Sequence, residues 1–218
     1  MNDLARHLEH TLLRSDATAA EIRRLCEEAR THRFHAVCVN GSRVELARHL
    51  VDDADVQVVA AVGFPLGAMD SGVKVHETEA ARDAGAQEID VVLNIGRLKD
   101  GEDRYVLREL RDIVEAAEGL PVKGIIEACL LTEDEKVRAC RLIMEAEARF
   151  VKTSTGFNRG GATVDDVRLL RATVGAGFGV KAAGGIRTWA AATALLAAGA
   201  DRLGTSCGVG IVTDPAAL

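Results

Sequence analysis

The sequence is a succession of short apolar runs without alternation, each separated from the next by a helical repeat. The runs are HAVCVN (35–40), VQVVAAVGF (56–64), EIDVVLNI (88–95), VKGIIEA (122–128), RFVKTS (149–154), GVKAAG (179–184) and DRLGTS (201–206). A strand with one wet face alternates apolar and polar residues. A run that does not alternate is buried on both faces, as happens when helices cross over parallel strands. Seven runs, with HTLL (10–13) as an eighth, suit right-handed βαβ units. Eight such units close a (β/α)8 barrel of the TIM type. An open doubly wound sheet is the alternative, but no GxGxxG turn follows the first strand.

The helices announce themselves by caps and by periodicity. Thr18 with Glu21 and Thr132 with Glu135 have capping-box spacing, and Ile22, Leu25, Cys26 and Ala29 follow the first at helical intervals. Val106, Leu107, Leu110, Ile113, Val114 and Ala117 make one stripe, and further helices are predicted around Val44–Val51, Val167–Val174 and after Thr188. AGA recurs at 84–86 and 198–200, each time with a glycine placed to end a helix before a strand. With three prolines and no serine- or proline-rich linker, residues 1–218 read as one α/β barrel domain.

The net charge of −6 argues against nucleic acid or an anionic membrane as the main partner. No apolar run approaches the ~20 residues of a membrane span. The N-terminal MNDLARHLEHTLLR lacks the apolar region of a signal peptide. Five cysteines without a CxxC pair read as reduced thiols, so a cytoplasmic protein is expected. His7, His10, His32 and His35 form two HxxH pairs, but nothing nearby completes zinc-like spacing. Solvated or capping roles are expected for them.

Two lysines break this pattern. Lys152 and Lys181 interrupt apolar runs one strand–helix unit apart, and lysine is rarely buried without compensation. Asp90, between Ile89 and Val91, is a third intrusion and calls for a cationic partner. Asn94, Lys123, Glu127 and Ser154 are further polar positions in the same runs. One Asp–Lys pair could be plain scaffolding. Two lysines with one carboxylate are an unbalanced and costly scaffold, which favours chemistry. A free lysine has a pKa of about 10.4, so only about one in 2,500 is neutral at pH 7. Bringing it to about 7 takes ~4.6 kcal/mol, and a second ammonium plus desolvation is expected to supply it. A neutral lysine condenses with carbonyls. Of three glycine-rich segments, GGAT (160–163) precedes a helix, whereas AGGIRT (183–188) and GTSCGVG (204–210) fall where the loops after strands seven and eight of such barrels hold phosphate.

With HTLL and DAT (10–18), AVCVN, VGFPLGA, EIDVVLNIG, KGIIEACLLT, FVKTSTGF, GGAT, VKAAGGIRT and GTSCGVGI in order, the chain resembles the deoxyribose-phosphate aldolases over nearly its whole length. The resemblance implies a class I aldolase that reversibly cleaves 2-deoxy-D-ribose 5-phosphate to acetaldehyde and D-glyceraldehyde 3-phosphate, in deoxyribonucleoside catabolism. It implies Lys152 as the Schiff-base lysine, Lys181 as the lysine that tunes it, and Asp90 as the group that transfers protons. Gly156, Gly184, Gly185, Gly204 and Ser206 are expected at the phosphate, and Cys38, Thr153 and Glu127 just behind the reacting groups. Glu127 is a candidate to pair with Lys123 or Lys152. Cys38 reads either as a thiol at the site mouth or as a small buried hydrophobe. Arg159, Arg187 and Cys207 are open candidates for phosphate contact. Glu9, Ala128 and Cys207 stand where related sequences often carry aspartate, threonine and serine. The chain closes on DPAAL, without the C-terminal tyrosine that some members place near the phosphate. No cofactor or metal is implied, because the protonated imine is itself the electron sink. The implied partners are a phosphosugar and an aldehyde, with a homodimer as the expected assembly. Two other readings stand beside this one: a different lysine-imine aldolase acting on a keto-sugar phosphate, and a non-catalytic phosphosugar-binding barrel.

Overall fold

A computed structural model describes residues 3–213. Eight parallel strands close into a barrel: β1 (Leu8–Leu12), β2 (Ala36–Asn40), β3 (Gln57–Val62), β4 (Glu88–Val92), β5 (Val122–Ile125), β6 (Phe150–Lys152), β7 (Gly179–Ala183) and β8 (Arg202–Thr205). Each strand pairs with its sequence neighbours, and β1 closes on β8 through Leu8 with Leu203, Glu9 with Gly204 and His10 with Thr205. Around the barrel run α1 (Ala19–His32), α2 (Val44–Leu50), α3 (Ser71–Asp83), α4 (Ile95–Lys99), α5 (Asp103–Ala116), α6 (Glu133–Glu145), α7 (Val164–Val174), α8 (Trp189–Ala197) and α9 (Gly208–Thr213). The all-apolar runs thus lie between helices outside and barrel interior inside. The C-terminal DPAAL and the expectation attached to it lie outside the described residues.

Both predicted capping boxes form. The hydroxyls of Thr18 and Thr132 accept from the amides of Glu21 and Glu135, whose carboxylates accept from the cap amides in return. Gly85 and Gly199 take left-handed φ values of 98° and 112° directly after α3 and α8, as the AGA repeats predict. Two details differ from the sequence expectation. Asn94 is not in a strand; β4 ends at Val92, and the Asn94 side chain caps α4 by accepting from Arg97 N. α3 was not marked by periodicity, because its buried face carries Lys74 and Thr78 beside Ala81. Lys74 is held there by Glu109 of α5 at 2.8 Å and by the carbonyl of Val92 at 2.9 Å.

Two separate apolar clusters divide the molecule. The larger lies between strands and helices and holds Leu8, Ile22, Ile89, Leu110, Ile143 and Leu203 among others. The smaller is inside the barrel: Leu13, Ala36, Cys38, Val59 and Ala61, with Phe64 against them. It fills only the β1–β3 side. The β4–β7 side of the interior is charged.

Candidate active site

Strand side chains alternate, so residues two apart share a face. On β4 this turns both Glu88 and Asp90 inward, and the register sets Lys123 of β5 beside Asp90 and Lys152 of β6 beside Lys181 of β7. β1 contributes Glu9. The result is a buried lattice of three lysines and three carboxylates. Asp90 accepts from Lys123 at 2.9 Å through one oxygen, and from Lys152 at 2.8 Å and Lys181 at 2.5 Å through the other. Glu9 pairs closely with Lys181 and lies 3.6 Å from Lys123, which also meets Glu88 at 2.5 Å. The two lysines singled out by sequence therefore stand side by side on one oxygen atom. Gly204 of β8 makes room for them, since a Cβ there would meet Lys181 Cε at 3.2 Å.

Carboxylates set the charge of the lysines beside Lys152. Burial does push the Lys181 ammonium down, but Asp90 and Glu9 outweigh it and hold the group above its ordinary value. Lys123 is likewise driven up, by Asp90, Glu9 and Glu88 against burial. Burial pushes the Asp90 carboxyl up, and the three lysines overcome that and hold it well below the usual carboxylate range. Glu88 is brought down to about 2 by Lys123 and His35, again against burial. Lys123 and Lys181 therefore stay charged beside ionised Asp90 and Glu88.

Lys152 differs from its neighbours in one respect. It lines a cavity of about 320 Å³ at the C-terminal end of the strands, and Lys123 and Lys181 do not. Gly156, Gly184, Gly185, Gly204 and Ser206 line the same cavity, and so do Arg187 and Arg14. Arg14, in the loop after β1, was missed. Two loops meet here at backbone distance: a Cβ on Gly161 would lie 2.1 Å from Gly184 O, and Ala162 N donates to that carbonyl at 3.0 Å. Arg159 is exposed and Cys207 half-buried, and neither lines the cavity.

The three residues expected behind the reacting groups are sorted by the structure. Cys38 is fully buried with its sulfur 4.0 Å from Asp90, and burial pushes its thiol up to about 11. It is an interior residue, not a thiol at the mouth. Thr153 is fully buried and bridges strand ends, donating to Ala183 O at 3.2 Å and accepting from Ala183 N at 3.1 Å. Glu127 pairs with neither Lys123 nor Lys152. It follows β5 and turns to Thr155. The histidines take local roles: His10 meets Glu28 at 2.8 Å, His35 meets Glu88 at 3.3 Å, and His32 stacks on Phe34.

Glu9, Glu88 and Lys123 are the members of the lattice that sequence reasoning left unassigned. Glu88 shares β4 with Asp90 two positions on, and Lys123 is a charge within an apolar run, and those were the available signals. Glu9 gave less. Its partner Lys181 is 172 residues distant and is reached only because the barrel closes.

Comparison with known proteins agrees with this geometry. The DeoC/LacD family aldolase profile matches residues 6–213. A protein of Alkaliphilus oremlandii named deoxyribose-phosphate aldolase is 52% identical over 213 residues, covering 97% of this chain and 96% of that one. One of Thermococcus gammatolerans with the same name is 54% identical over 214 residues, covering 96% and 95%. The solved structure titled "Unique tetrameric structure of deoxyribose phosphate aldolase from Aeropyrum pernix" superposes with a TM-score of 0.91 at 33% identity, covering 97% of this chain and 90% of that one. No helix among the described residues is long and apolar enough to cross a membrane. A closed barrel with one lysine of a buried ionic cluster opening onto a glycine-lined cavity, and relatives this similar over this length, lead to one statement: the chain belongs to the DeoC/LacD family of aldolases.

Proposed function

We propose that this chain is a class I aldolase for 2-deoxy-D-ribose 5-phosphate, with all of residues 1–218 serving one catalytic barrel. The observation that carries the reading is that Lys152, alone of the three interior lysines, faces the cavity while Asp90 lies 2.8 Å from its nitrogen. In its unprotonated form Lys152 attacks C1 of the open-chain sugar. Loss of water gives the protonated imine. A base then takes the proton of the 3-hydroxyl, the C2–C3 bond breaks, and its electron pair enters the iminium to give an enamine. D-glyceraldehyde 3-phosphate leaves, C2 takes up a proton, and hydrolysis returns acetaldehyde and the free lysine. Asp90 and Lys181 are assigned the proton transfers, by way of water between them and the sugar. Gly156, Gly184, Gly185, Gly204 and Ser206 are assigned the phosphate, where glycine amides approach an anion closely and Arg187 adds charge.

The names carried by the relatives support this substrate over a keto-sugar phosphate, and the intact lysine–aspartate lattice supports an enzyme over a binding barrel. Borohydride reduction in the presence of acetaldehyde, followed by peptide mapping, tests it. The adduct is expected on Lys152, and an adduct on Lys181 or none at all would defeat the mechanism. Five free thiols support a reducing compartment such as the cytoplasm. A homo-oligomer is proposed as the working form. Light scattering on the eluted protein separates the dimer from a tetramer like that named for the Aeropyrum relative.

A further inference from the structure

Glu127 is an anomaly that the chemistry above does not use. Its carboxylate is only 2% exposed, it has no basic partner among the described residues, and its backbone sits at φ 49°, a left-handed conformation that costs most residues strain. Both of its oxygens are committed to Thr155, one accepting from the Thr155 amide at 3.3 Å and the other from the Thr155 hydroxyl. The Thr155 oxygen in turn accepts from Phe157 N at 3.1 Å. This directs the hydroxyl proton toward Glu127. With one donor aimed at each oxygen, a carboxylate meets both, whereas a glutamine would turn its NH2 group toward one of them. What the chain of bonds fixes is the Thr155–Gly156–Phe157 turn. Gly156 has φ 82° and is packed so closely on Gly184 that a Cβ would lie 3.3 Å from its Cα. The turn begins three residues after Lys152.

We propose that Glu127 is a positioning residue for anion recognition: it holds the Gly156 turn against the Gly184 loop, so that both present amides to the substrate's phosphate in one fixed geometry. A buried carboxylate close to a phosphate is electrostatically unfavourable in itself, so its presence needs a compensating role, and ordering this turn supplies one. The inference rests on the glycine loops being the phosphate cradle. A residue that merely stabilised the barrel would affect all substrates alike. Glu127 instead governs the preference for the phosphorylated one.

The test measures kcat/KM for 2-deoxyribose 5-phosphate and for unphosphorylated 2-deoxyribose in the wild type, Glu127→Gln and Thr155→Val. The ratio of the two values is expected to fall ~10-fold or more in Glu127→Gln, the scale of loss that small misplacement of a binding group produces. The inhibition constant of inorganic phosphate should rise in parallel. Thr155→Val breaks the same contact from the other side and should lower the ratio as well, which keeps the test decisive if Glu127→Gln does not fold. An unchanged ratio in a folded variant overturns the role of Glu127 while leaving the cradle intact. A wild type with no preference for the phosphorylated sugar overturns the cradle and this inference together.

Discussion

Asp90 accepts from three lysines, and removing each leaves a different group without its partner. Lys181→Met strips Glu9 of its close partner and leaves only Lys123 at 3.6 Å. Breaking a buried ion pair from one side costs about 3–5 kcal/mol, and urea unfolding of this variant should show a loss of that order. Lys152→Met leaves Asp90 with two lysines and should lose clearly less, while abolishing imine trapping. Equal destabilisation of the two variants would show that the lattice is not organised as described. The three residues that carry the proposed chemistry were legible because each is a charged residue in an otherwise apolar run. The further carboxylates Glu9 and Glu88 were not. Glu9 lies in β1, one residue ahead of the HTLL run read as that strand, and a pair formed across the closing seam of a barrel leaves no local mark in the chain.

α3 teaches the complementary lesson about elements. The helices recovered from sequence had apolar stripes or capping residues, whereas α3 buries Lys74 and Thr78 and so shows no stripe. Its register against the sheet is set by charge. Lys74→Met should destabilise the fold by roughly 3 kcal/mol, because Glu109 is left buried and unpaired. Lys74→Met combined with Glu109→Leu should recover much of that loss in urea or thermal unfolding, because an apolar pair of similar size needs no partner. Both variants should keep the activity per folded molecule, since α3 lies outside the barrel. Failure of the double variant to recover would give the Lys74 bond to Val92 O the larger share. At the other extreme, Thr18→Ala removes one half of a capping box on the surface and should cost about 1 kcal/mol. Strand positions were legible to within a few residues, and their ends were not. Asn94 and Glu127 both looked like strand residues because each directly follows an apolar run. One caps a helix, and the other turns into a left-handed conformation.

For the whole molecule the lattice sets a window of pH. Glu88 titrates near 2 in the folded barrel against an ordinary 4.5, and Asp90 lies well below its ordinary value. Carboxylates depressed by folding contribute stability above their unfolded pKa, and that contribution is lost as pH falls through the folded one. Lys123 and Lys181 are raised, so their contribution is present below the unfolded value near 10.5 and is lost only as pH rises through the folded one. The melting temperature should therefore be nearly flat from about 5 to about 10 as far as these groups decide it, and fall on the acid side between about 4.5 and about 2. Glu88→Gln should flatten that acid limb, and an unaltered limb would move the acid sensitivity elsewhere in the molecule.

Asp90 Oδ2, the atom shared by Lys152 and Lys181, has a last consequence for turnover. An alkylammonium and the iminium it becomes carry the same single positive charge and can each offer a proton to that oxygen. Covalent capture of an aldehyde thus begins and ends with the same electrical account in the heart of the barrel. The iminium therefore meets an oxygen that the barrel already holds in place, and only the neutral amine and enamine stages between leave Asp90 with one charged neighbour fewer.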